Sequence, residues 1–365
     1  MSPSDRDADV ELVVVAASAG GLQPLRALLS ALPASLPAAL LVVLHVPATG
    51  GHALPRILDR SGPLHAASAV DGEPIRRGRI YVAPPDRHLL VVKDTVRVSR
   101  APRQNGVRPA ADPLFRSAAL YGGSRTTAVV LSGTLDDAAL GSATVERRGG
   151  FVLVQDPAEA DYDSMPRSAI TATTHAAVAS VADIAKLITE AAIRESPDQG
   201  DRGAMPAGRD TRLDAELETE LAGLLAGDPE TDIRTRGHSG LTCPDCGGPL
   251  YTGAEHTFDC LVGHRWSPQS LFEEHSASVE PALWLAVRAL DERGKLAGRL
   301  ASEAGERGHR ITADQFTVAA REARESADAI REVVSGMLAE VVLQPGTRGA
   351  TDGDPCAVAP GTRPA

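Results

Sequence analysis

The chain has 365 residues, a formal net charge of −11, 43% hydrophobic residues and 3% aromatic residues. This length exceeds one ordinary domain of about 100 to 200 residues, which predicts a main domain with a smaller accessory region. The acidic balance leaves no excess of Lys and Arg to neutralise phosphates, so nucleic acid is not expected as a partner. The first ten residues are polar, and no run reaches the about 20 apolar residues of a membrane span, so we expect no membrane insertion and a cytoplasmic location.

Short β-branched runs alternate with Ala- and Leu-rich amphipathic segments over residues 9–194. This alternation is typical of strands joined by crossover helices, and it predicts an α/β fold with a doubly wound, mainly parallel sheet. The predicted parallel strands are residues 12–16, 40–44, 128–131, 151–154 and 176–180. An antiparallel hairpin excursion is predicted from the runs at residues 79–83, 89–92 and 96–99.

The rest of the chain is expected to hold smaller elements. Residues 195–240 are predicted to be a linker with one short helix at residues 211–226, because the first part is rich in Pro, Gly and Asp. Residues 241–275 carry a Cys/His cluster and are expected to form a small zinc-ribbon-like module. Residues 279–343 predict a C-terminal helical hairpin, and residues 344–365 predict a disordered tail that contains Cys356.

The first predicted strand runs directly into a serine. Ser18 is followed by Ala19, Gly20 and Gly21, and then by a plausible helix start. A helix N-terminus stabilises a developing alkoxide, and small residues let backbone N–H groups approach a tetrahedral oxyanion. The same pattern also suits a phosphate-binding turn or a simple serine N-cap, so this motif alone leaves the three interpretations open.

The second and third strands end on side chains that would complete a catalytic triad. His45 follows the second strand, and Asp136 and Asp137 follow the third. A single histidine or aspartate in such a place is more often structural. Because the carboxyl ends of parallel strands border one crevice, however, a serine, an imidazole and a carboxylate are expected to converge there. The order Ser, His, Asp and the missing first glycine of a G-x-S-x-G elbow argue against an α/β-hydrolase.

Several blocks of residues 12–194 resemble the catalytic domain of the chemotaxis protein-glutamate methylesterases, the CheB family. The blocks are ASAGG at residues 17–21, HVP at 45–47, IYVAPPDRH at 80–88, RPAADPLF at 108–115 and MPRSAI at 165–170. The resemblance implies Ser18 as nucleophile, His45 as base and Asp137 as acid, with Asp136 as second choice. Backbone groups of Ala19, Gly20 and Thr134 are expected to bind the oxyanion.

The loop around the predicted acid departs from the family pattern L-T-G-M-G-x-D-G-A-x-G, since residues 131–141 are LSGTLDDAALG. Thr134 stands where the family has Met, and Leu135 and Ala138 replace glycines, as does Ala16 before the serine. A residue other than glycine is strained at positive φ, so we expect strain in this loop if its backbone is unchanged.

The resemblance implies a reaction without a catalytic cofactor, the hydrolysis of glutamate methyl esters on the cytoplasmic helices of chemoreceptors through an acyl-enzyme. Some members of the family also deamidate receptor glutamines. A signalling kinase or a methyltransferase is a further partner class. Full-length members carry an N-terminal receiver domain, and about eleven residues precede the first strand here, so activation through such a domain is not expected. The alternatives are a catalytically degenerate binding module and a general esterase for small molecules.

The clustered cysteines predict a metal site. The predicted ligands are Cys243, Cys246, Cys260 and His264, with His256 and His275 as second choices. Their C-x2-C and C-x3-H spacings suit a tetrahedral zinc, and four protein ligands leave no open position, so the zinc would be structural. A metal-free cluster of reduced cysteines is the alternative. In the following helices, apolar residues at helical spacing form a stripe, which predicts either a helix-packing seam or a partner-binding surface. The stripe comprises Leu283, Trp284, Val287, Leu290, Leu296 and Leu300.

Overall fold

A computed structural model of the chain describes residues 10–47, 53–193, 211–226, 236–253 and 256–342. Residues 195–210 and 227–235 of the linker expected at residues 195–240, and the tail expected at residues 344–365 with Cys356, lie outside the described residues. The chain divides into two compact units, Met1–Phe272 and Glu273–Ala365.

The elements of the first unit follow one another as strands and helices in alternation. The strands are β1 (Glu11–Ala17), β2 (Ala38–Leu44), β3 (His65–Ser68), β4 (Arg79–Val82), β5 (His88–Val92), β6 (Thr95–Ser99), β7 (Thr126–Val130), β8 (Phe151–Gln155), β9 (Ala177–Ala179), β10 (His238–Thr242), β11 (Pro249–Thr252), β12 (Phe258–Cys260) and β13 (Arg265–Trp266). The helices are α1 (Leu22–Ala31), α2 (Leu54–Asp59), α3 (Ala111–Gly122), α4 (Ala139–Arg147), α5 (Ser164–Ala172), α6 (Val181–Ile193) and α7 (Thr211–Ala226).

A seven-stranded parallel sheet in the order β3-β4-β2-β1-β7-β8-β9 forms the centre of this unit. The central strands β1 and β2 are nearly continuous apolar runs because helices cover both faces of the sheet. Val13 and Val15 of β1 pack on the α1 and α6 side, whereas Leu12 and Val14 pack on the α3, α4 and α5 side. The predicted doubly wound α/β sheet is confirmed.

The predicted hairpin excursion is confirmed for β5 and β6, which pair antiparallel. Its first run differs from the expectation, since β4 pairs parallel with β2 and β3 in the main sheet. Ile80, Tyr81 and Val82 are buried, as suits a central parallel strand rather than a half-exposed hairpin. The sequence reasoning missed β3 because its residues, HAAS, include no β-branched or aromatic side chain.

The segment after the main sheet packs against it within the same unit. Leu217, Leu221 and Leu224 of α7 are buried against Leu90, Ala101 and Leu120 of the sheet domain. Strands β10 to β13 form a four-stranded antiparallel sheet that carries the clustered cysteines. Gln104 and Arg265 join this small sheet to the loop before α3 through a parallel bridge.

The second unit is a helical hairpin. It is built from α8 (Pro268–Glu306), which begins before the unit boundary, and α9 (Arg310–Val342). Gly294 lies close to Ala320 and Ala323, so small residues bring the two helices together. Of the predicted stripe, Val287 is buried and Trp284 and Leu296 are exposed. Among the described residues, none of the helices has both the length and the hydropathy needed to cross a membrane.

Candidate active site

The predicted triad residues lie at the carboxyl edge of three neighbouring strands. Strand β1 lies between β2 and β7, with Ala17 opposite Leu44 and Ala16 opposite Val130. Ser18 follows β1, His45 follows β2 and Asp137 lies between β7 and α4. The backbone ladder continues past the strand ends, because Ser18 N–H donates to the Ser132 carbonyl at 2.9 Å and His45 N–H donates to the Ala17 carbonyl at 3.1 Å. The site is therefore built at the centre of the sheet.

The structure brings the serine, the imidazole and the carboxylate into one hydrogen-bonded row. His45 Nδ1 lies 3.1 Å from Ser18 Oγ, and His45 Nε2 lies 2.8 Å from Asp137 Oδ2. The side chain of His45 is 15% exposed and that of Asp137 is 3% exposed. An ionised carboxylate accepts hydrogen bonds and cannot donate, so the contact with Asp137 requires the proton on Nε2. Nδ1 is then left with a lone pair that faces the serine hydroxyl.

The N-terminus of α3 holds the Asp137 carboxylate. Ala111 N–H donates to Oδ2 at 2.6 Å, and Asp112 N–H donates to Oδ1 at 3.1 Å. Burial by itself would raise the pKa of Asp137, but the hydrogen bond and charge of His45 and these two amides together lower it. The positive end of the helix dipole acts in the same direction. Asp137 is therefore kept ionised in a buried place.

A second buried acid lies beside the first. Asp112 Oδ1 accepts a hydrogen bond from Gly141 N–H at 2.7 Å. Burial, and then the neighbouring charge of Asp137, raise the pKa of Asp112 to about 8. Ionisation of two adjacent carboxyl groups in a buried site is energetically unfavourable. Asp112 is therefore mainly protonated at neutral pH, and Asp137 carries the negative charge that faces His45.

A buried histidine fixes the start of α3. His88 is fully buried, and its Nδ1 accepts from Ala110 N–H at 3.2 Å while its Nε2 lies 3.0 Å from the Pro102 carbonyl. Burial lowers the pKa of His88 to about 4, so the ring is neutral. His88 and Asp112 lie within the family-like sequence blocks, but the sequence alone assigned them no role. Asp112 is the one polar residue in the run of residues 109–115, a signal that could have found it, whereas His88 follows two charged residues and carries no such signal.

The second-choice acid, Asp136, is placed differently. Its Oδ1 accepts a hydrogen bond from Ser270 Oγ at 2.5 Å, and burial raises its pKa. Asp137 is the residue whose carboxylate contacts His45. The geometry thus separates two adjacent aspartates that the strand-end argument could not distinguish.

The residues expected to bind an oxyanion lie around Ser18 with their N–H groups available. Within the described part of the chain, the backbone N–H groups of Ala19, Gly20 and Thr134 donate to no protein acceptor. Gly20 has φ 68°, and a Cβ there would lie 2.7 Å from the Cβ of Asp161. Ser132 Oγ donates to the Ala19 carbonyl at 2.8 Å and so fixes this turn. These contacts leave room for glycine alone at position 20.

The loop that carries Asp137 has the backbone expected of the glycines it lacks. Leu135 has φ 64° and Ala138 has φ 78°, both in the left-handed region. Each such residue costs about 1 to 2 kcal/mol relative to glycine. The loop therefore keeps its shape, and Asp137 its contact with His45, at the expense of stability.

A cleft opens beside His45. Its lining is His45, Val46, Pro47, Asp86, Arg103, Gly106, Val107, Arg108 and Pro109. The guanidinium of Arg108 donates to Asp86 Oδ1 at 2.9 and 2.6 Å and to the Ala101 carbonyl at 2.7 Å. The hydrogen bond from Arg108 lowers the pKa of Asp86. This wall of the cleft is therefore a fixed ion pair.

The predicted metal ligands also come together, in the small antiparallel sheet. The ligand atoms of Cys243, Cys246, Cys260 and His264 lie within 4.8 Å of one another. Cys246 Sγ and Cys260 Sγ are 3.7 Å apart, and His264 Nδ1 lies 3.6 Å from Cys243 Sγ and 3.5 Å from Cys260 Sγ. A group of this kind could hold a metal ion. The second-choice ligand His256 is not part of the group within the described residues, and neither is His275.

Known proteins resemble this chain over its first half. A family model described as CheB methylesterase matches residues 13–188. The chain is 36% identical over 178 residues to a putative protein-glutamate methylesterase/protein-glutamine glutaminase of Leptospira interrogans, which covers 48% of this chain and 92% of the relative. It is 43% identical over 160 residues to protein-glutamate methylesterase/protein-glutamine glutaminase 3 of Anaeromyxobacter dehalogenans, which covers 43% of this chain and 47% of the relative.

Among solved structures, the chain is similar to the Thermotoga maritima CheB methylesterase catalytic domain at 30% identity and a TM-score of 0.47, over 50% of this chain and 98% of the other. Against several curated relatives, the chain spans about half of the relative's length, as with the Anaeromyxobacter protein and, at 51%, a Myxococcus xanthus relative.

Asp112 makes stability depend on pH in a defined direction. Because its pKa is raised to about 8 in the folded chain, the folded state holds this proton more tightly than the unfolded state. The stabilisation is complete below about pH 4 and is lost as the pH rises through about 8. We expect Asp112→Asn, whose side-chain oxygen can still accept from Gly141, to gain stability relative to wild type between pH 5 and pH 8, as measured by urea unfolding.

The matched control is Asp71→Asn, at an acid whose pKa is lowered by hydrogen bonds from Arg97 and Val98. Because that acid is ionised in both states throughout this range, its stability difference from wild type should stay constant. A constant difference for Asp112→Asn as well would contradict a protonated Asp112.

The left-handed backbone at Ala138 can be tested against its neighbour Ala139, the first residue of α4. Both side chains are buried, and both glycine variants lose one methyl group and gain the same freedom in the unfolded chain. They differ in the sign of φ, so we expect Ala138→Gly to be more stable than Ala139→Gly by about 1 to 2 kcal/mol in denaturant unfolding. Equal stabilities would show that the loop relaxes around Ala138 without strain.

Proposed function

The chain belongs to the CheB methylesterase family, and from this premise we propose that it is a protein-glutamate methylesterase that hydrolyses glutamate methyl esters in the cytoplasmic helices of chemoreceptors. The observation that carries the proposal is the hydrogen-bonded row from Ser18 through His45 to Asp137. The proposal places the protein in the cytoplasm, where those helices lie. A signalling kinase or a methyltransferase of the same pathway is the second expected partner class.

In the proposed first half-reaction, Ser18 Oγ attacks the γ-carbonyl carbon of the ester while His45 Nδ1 accepts its proton. Asp137 keeps the ring oriented through Nε2 and stabilises the positive charge that the ring gains. The carbonyl oxygen becomes an oxyanion, to which the N–H groups of Ala19, Gly20 and Thr134 would donate. Collapse of this intermediate breaks the ester C–O bond, and His45 returns the proton to the leaving methoxide, which departs as methanol.

In the second half-reaction, a water molecule takes the place of methanol. His45 Nδ1 accepts a proton from the water, the oxygen attacks the acyl-enzyme, and Ser18 leaves as the alcohol with the proton from His45. The products are a glutamate side chain and free enzyme. These steps need no catalytic cofactor, because the charges that develop lie within reach of Asp137 and backbone amides.

Glutamine deamidation is a second reaction of the same site. The names of the relatives include protein-glutamine glutaminase, and a glutamine amide differs from the methyl ester in its leaving group, which would be ammonia. The row of Ser18, His45 and Asp137 disfavours a degenerate binding module, because the strained residues Leu135 and Ala138 have kept the acid in contact with the base. A general esterase is the less favoured alternative, since the names of the relatives describe protein-glutamate methylesterases.

We further propose that the Cys/His group holds a structural zinc ion. A tetrahedral zinc with Zn–S bonds of about 2.3 Å and a Zn–N bond of about 2.0 to 2.1 Å separates two sulfurs by about 3.8 Å and a sulfur from a nitrogen by about 3.6 Å. The separations of 3.7, 3.6 and 3.5 Å in the group agree with these values. Four protein ligands would leave no position for a water or a substrate, so the ion would stabilise the fold and take no part in the reaction.

The test of the proposed activity is methanol release from methylated receptor fragments. We expect wild type to release methanol and Ser18→Ala to be slower by about 10⁴-fold or more, because no other group replaces the nucleophile. Mass spectrometry of the fragments should show the loss of one methyl group per methanol released.

The control is Ser30→Ala, at an exposed serine of α1, which should react as fast as wild type. The acid is tested by a pair: Asp136→Asn should remain at least about 100-fold more active than Asp137→Asn, since Asp137 is the aspartate that orients His45. A folded wild type that releases no methanol, or a Ser18→Ala variant with full activity, would refute the proposed reaction.

The zinc proposal is tested by metal content. We expect about one zinc per chain in wild type and a large loss of zinc in Cys260→Ser, because a hydroxyl replaces a thiolate ligand. Cys356→Ser is the matched control and should keep its zinc, since Cys356 is not one of the four proposed ligands. Equal metal content in wild type and Cys260→Ser would contradict the proposed ligand set.

A further inference from the structure

The segment that follows His264 makes a series of contacts with the loops of the candidate active site. Residues 265–270, here called the clamp segment, comprise β13 and the start of α8 and lie within the first compact unit. Cys260 N–H donates to the His264 carbonyl at 3.0 Å, so the clamp segment leaves directly from the turn that carries two of the metal-site residues.

The clamp segment first holds the loop that lines the cleft beside His45. Asn105 is 8% exposed, and its N–H donates to the Arg265 carbonyl at 2.8 Å while its side-chain oxygen accepts from Ser267 N–H at 2.8 Å. Trp266 is buried and its ring lies against Gly106, where a Cβ would lie 3.0 Å from the ring. Gly106, Val107 and Arg108 line the cleft. This wall of the cleft thus contacts the clamp segment through the hydrogen bonds of Asn105 and through the packing of Trp266 on Gly106.

The same segment holds the loop that carries the acid of the triad. Ser270 Oγ donates to Asp136 Oδ1 at 2.5 Å, and the Ser267 side chain also hydrogen-bonds Asp136. Asp136 is mostly removed from solvent, so the loss of these hydroxyl groups would leave a buried carboxyl group without its hydrogen-bond partners. Asp137 is the next residue and lies 2.8 Å from His45. A displacement of Asp136 would therefore move Asp137, and with it the hydrogen bond that orients His45.

Side-chain ion pairs fix the clamp segment itself. The Arg265 guanidinium pairs with Asp259 of β12 at 2.7 Å and with Glu220 of α7 at 2.8 Å, and Glu220 also pairs with Arg116 of α3 at 2.7 Å. Asp259 and Glu220 are largely buried, and buried pairs of this kind hold their geometry because breaking one leaves an uncompensated charge. Arg265 thus links the clamp segment to the sheet of β10 to β13, here called the metal-site sheet, through Asp259, and to α7 through Glu220, which in turn pairs with α3.

We propose that the clamp segment positions the active site, with Ser270 and Asn105 as positioning residues, so that the folded metal-site sheet is a requirement for full esterase activity of this chain. This inference rests on the proposed function, since it assigns the sheet a role in the same reaction. Ser270 acts through Asp136 on the orientation of Asp137, and Asn105 acts on the wall of the cleft. The metal-site sheet then supports the positions of the active-site loops through the clamp segment.

The experiment compares wild type, Ser270→Ala, Ser270→Thr and the control Ser278→Ala, all as full-length chains. Ser278 lies on the same helix, and its hydroxyl donates to the helix carbonyl of His275. Displacement of a reacting group by about 1 Å costs up to about 100-fold in rate. We expect Ser270→Ala to lower kcat about 10-fold with KM within about twofold of wild type, Ser270→Thr to recover most of kcat, and Ser278→Ala to behave as wild type.

Amide hydrogen exchange gives a readout that does not depend on activity. In Ser270→Ala we expect faster exchange at residues 134–139, and in protein stripped of metal by a chelator we expect faster exchange at both residues 104–108 and residues 134–139. If exchange is faster in Ser270→Ala and in the metal-stripped protein but wild type has no esterase activity, the structural role of the clamp segment would stand and the proposed reaction would be refuted. Unchanged kcat in Ser270→Ala together with unchanged exchange in both loops would overturn the clamp.

Discussion

The carboxylate of Asp137 is the group on which the candidate site depends, because it is a buried charge that the fold must compensate. Two amides at the start of α3 and the imidazole of His45 supply that compensation. Each of these partners has its own requirement: α3 is held by the neutral ring of His88, and His45 is held by the ladder between β1 and β2. The elements around the site therefore serve one electrostatic purpose, to keep a single negative charge next to a histidine in a place with little water.

The presence of Asp112 beside this charge shows how the site avoids electrostatic conflict. A second ionised acid here would add a like charge beside Asp137 in a buried place, which is unfavourable. Burial prevents this, because it places the pKa of Asp112 above neutrality while Asp137 keeps its charge. Two carboxyl groups of the same chemical type thus take different protonation states, because Asp137 has the hydrogen bonds and charge of His45 and two amides, whereas Asp112 is buried beside the charge of Asp137.

Much of the fold and the site could be predicted from the sequence, and the reasons differ from part to part. The parallel strands β1, β2 and β7 were predictable because buried strands are continuous apolar runs, and their ends then located Ser18 and His45. Strand β3 was not predictable, since Ala and Ser give no strand signal, and the parallel pairing of β4 was hidden by its closeness to the β5 and β6 hairpin. The spacing of the cysteines predicted which four side chains would meet.

Contacts between distant segments were beyond the reach of local patterns. The hydrogen bond from Ser270 to Asp136 joins residues 134 positions apart, and no periodicity indicates it. The packing of α7 on the sheet domain likewise depends on a tertiary surface, although the helix itself was predictable from its composition. The family resemblance favoured Asp137 over Asp136 as the acid, but the residue pattern alone could not. Which of two adjacent side chains points to His45 depends on the conformation of the loop.

The chain contains two tryptophans, and each compact unit holds one of them. Trp266 is buried at 2% exposure, in the unit with the sheet and the triad, and Trp284 is 45% exposed on the helical hairpin. Their indole rings therefore meet different surroundings, so the intrinsic fluorescence of the chain contains a short-wavelength component from one unit and a long-wavelength component from the other. The two units thus carry separate optical labels that no engineering has to introduce, and the melting of each can be followed in the same sample.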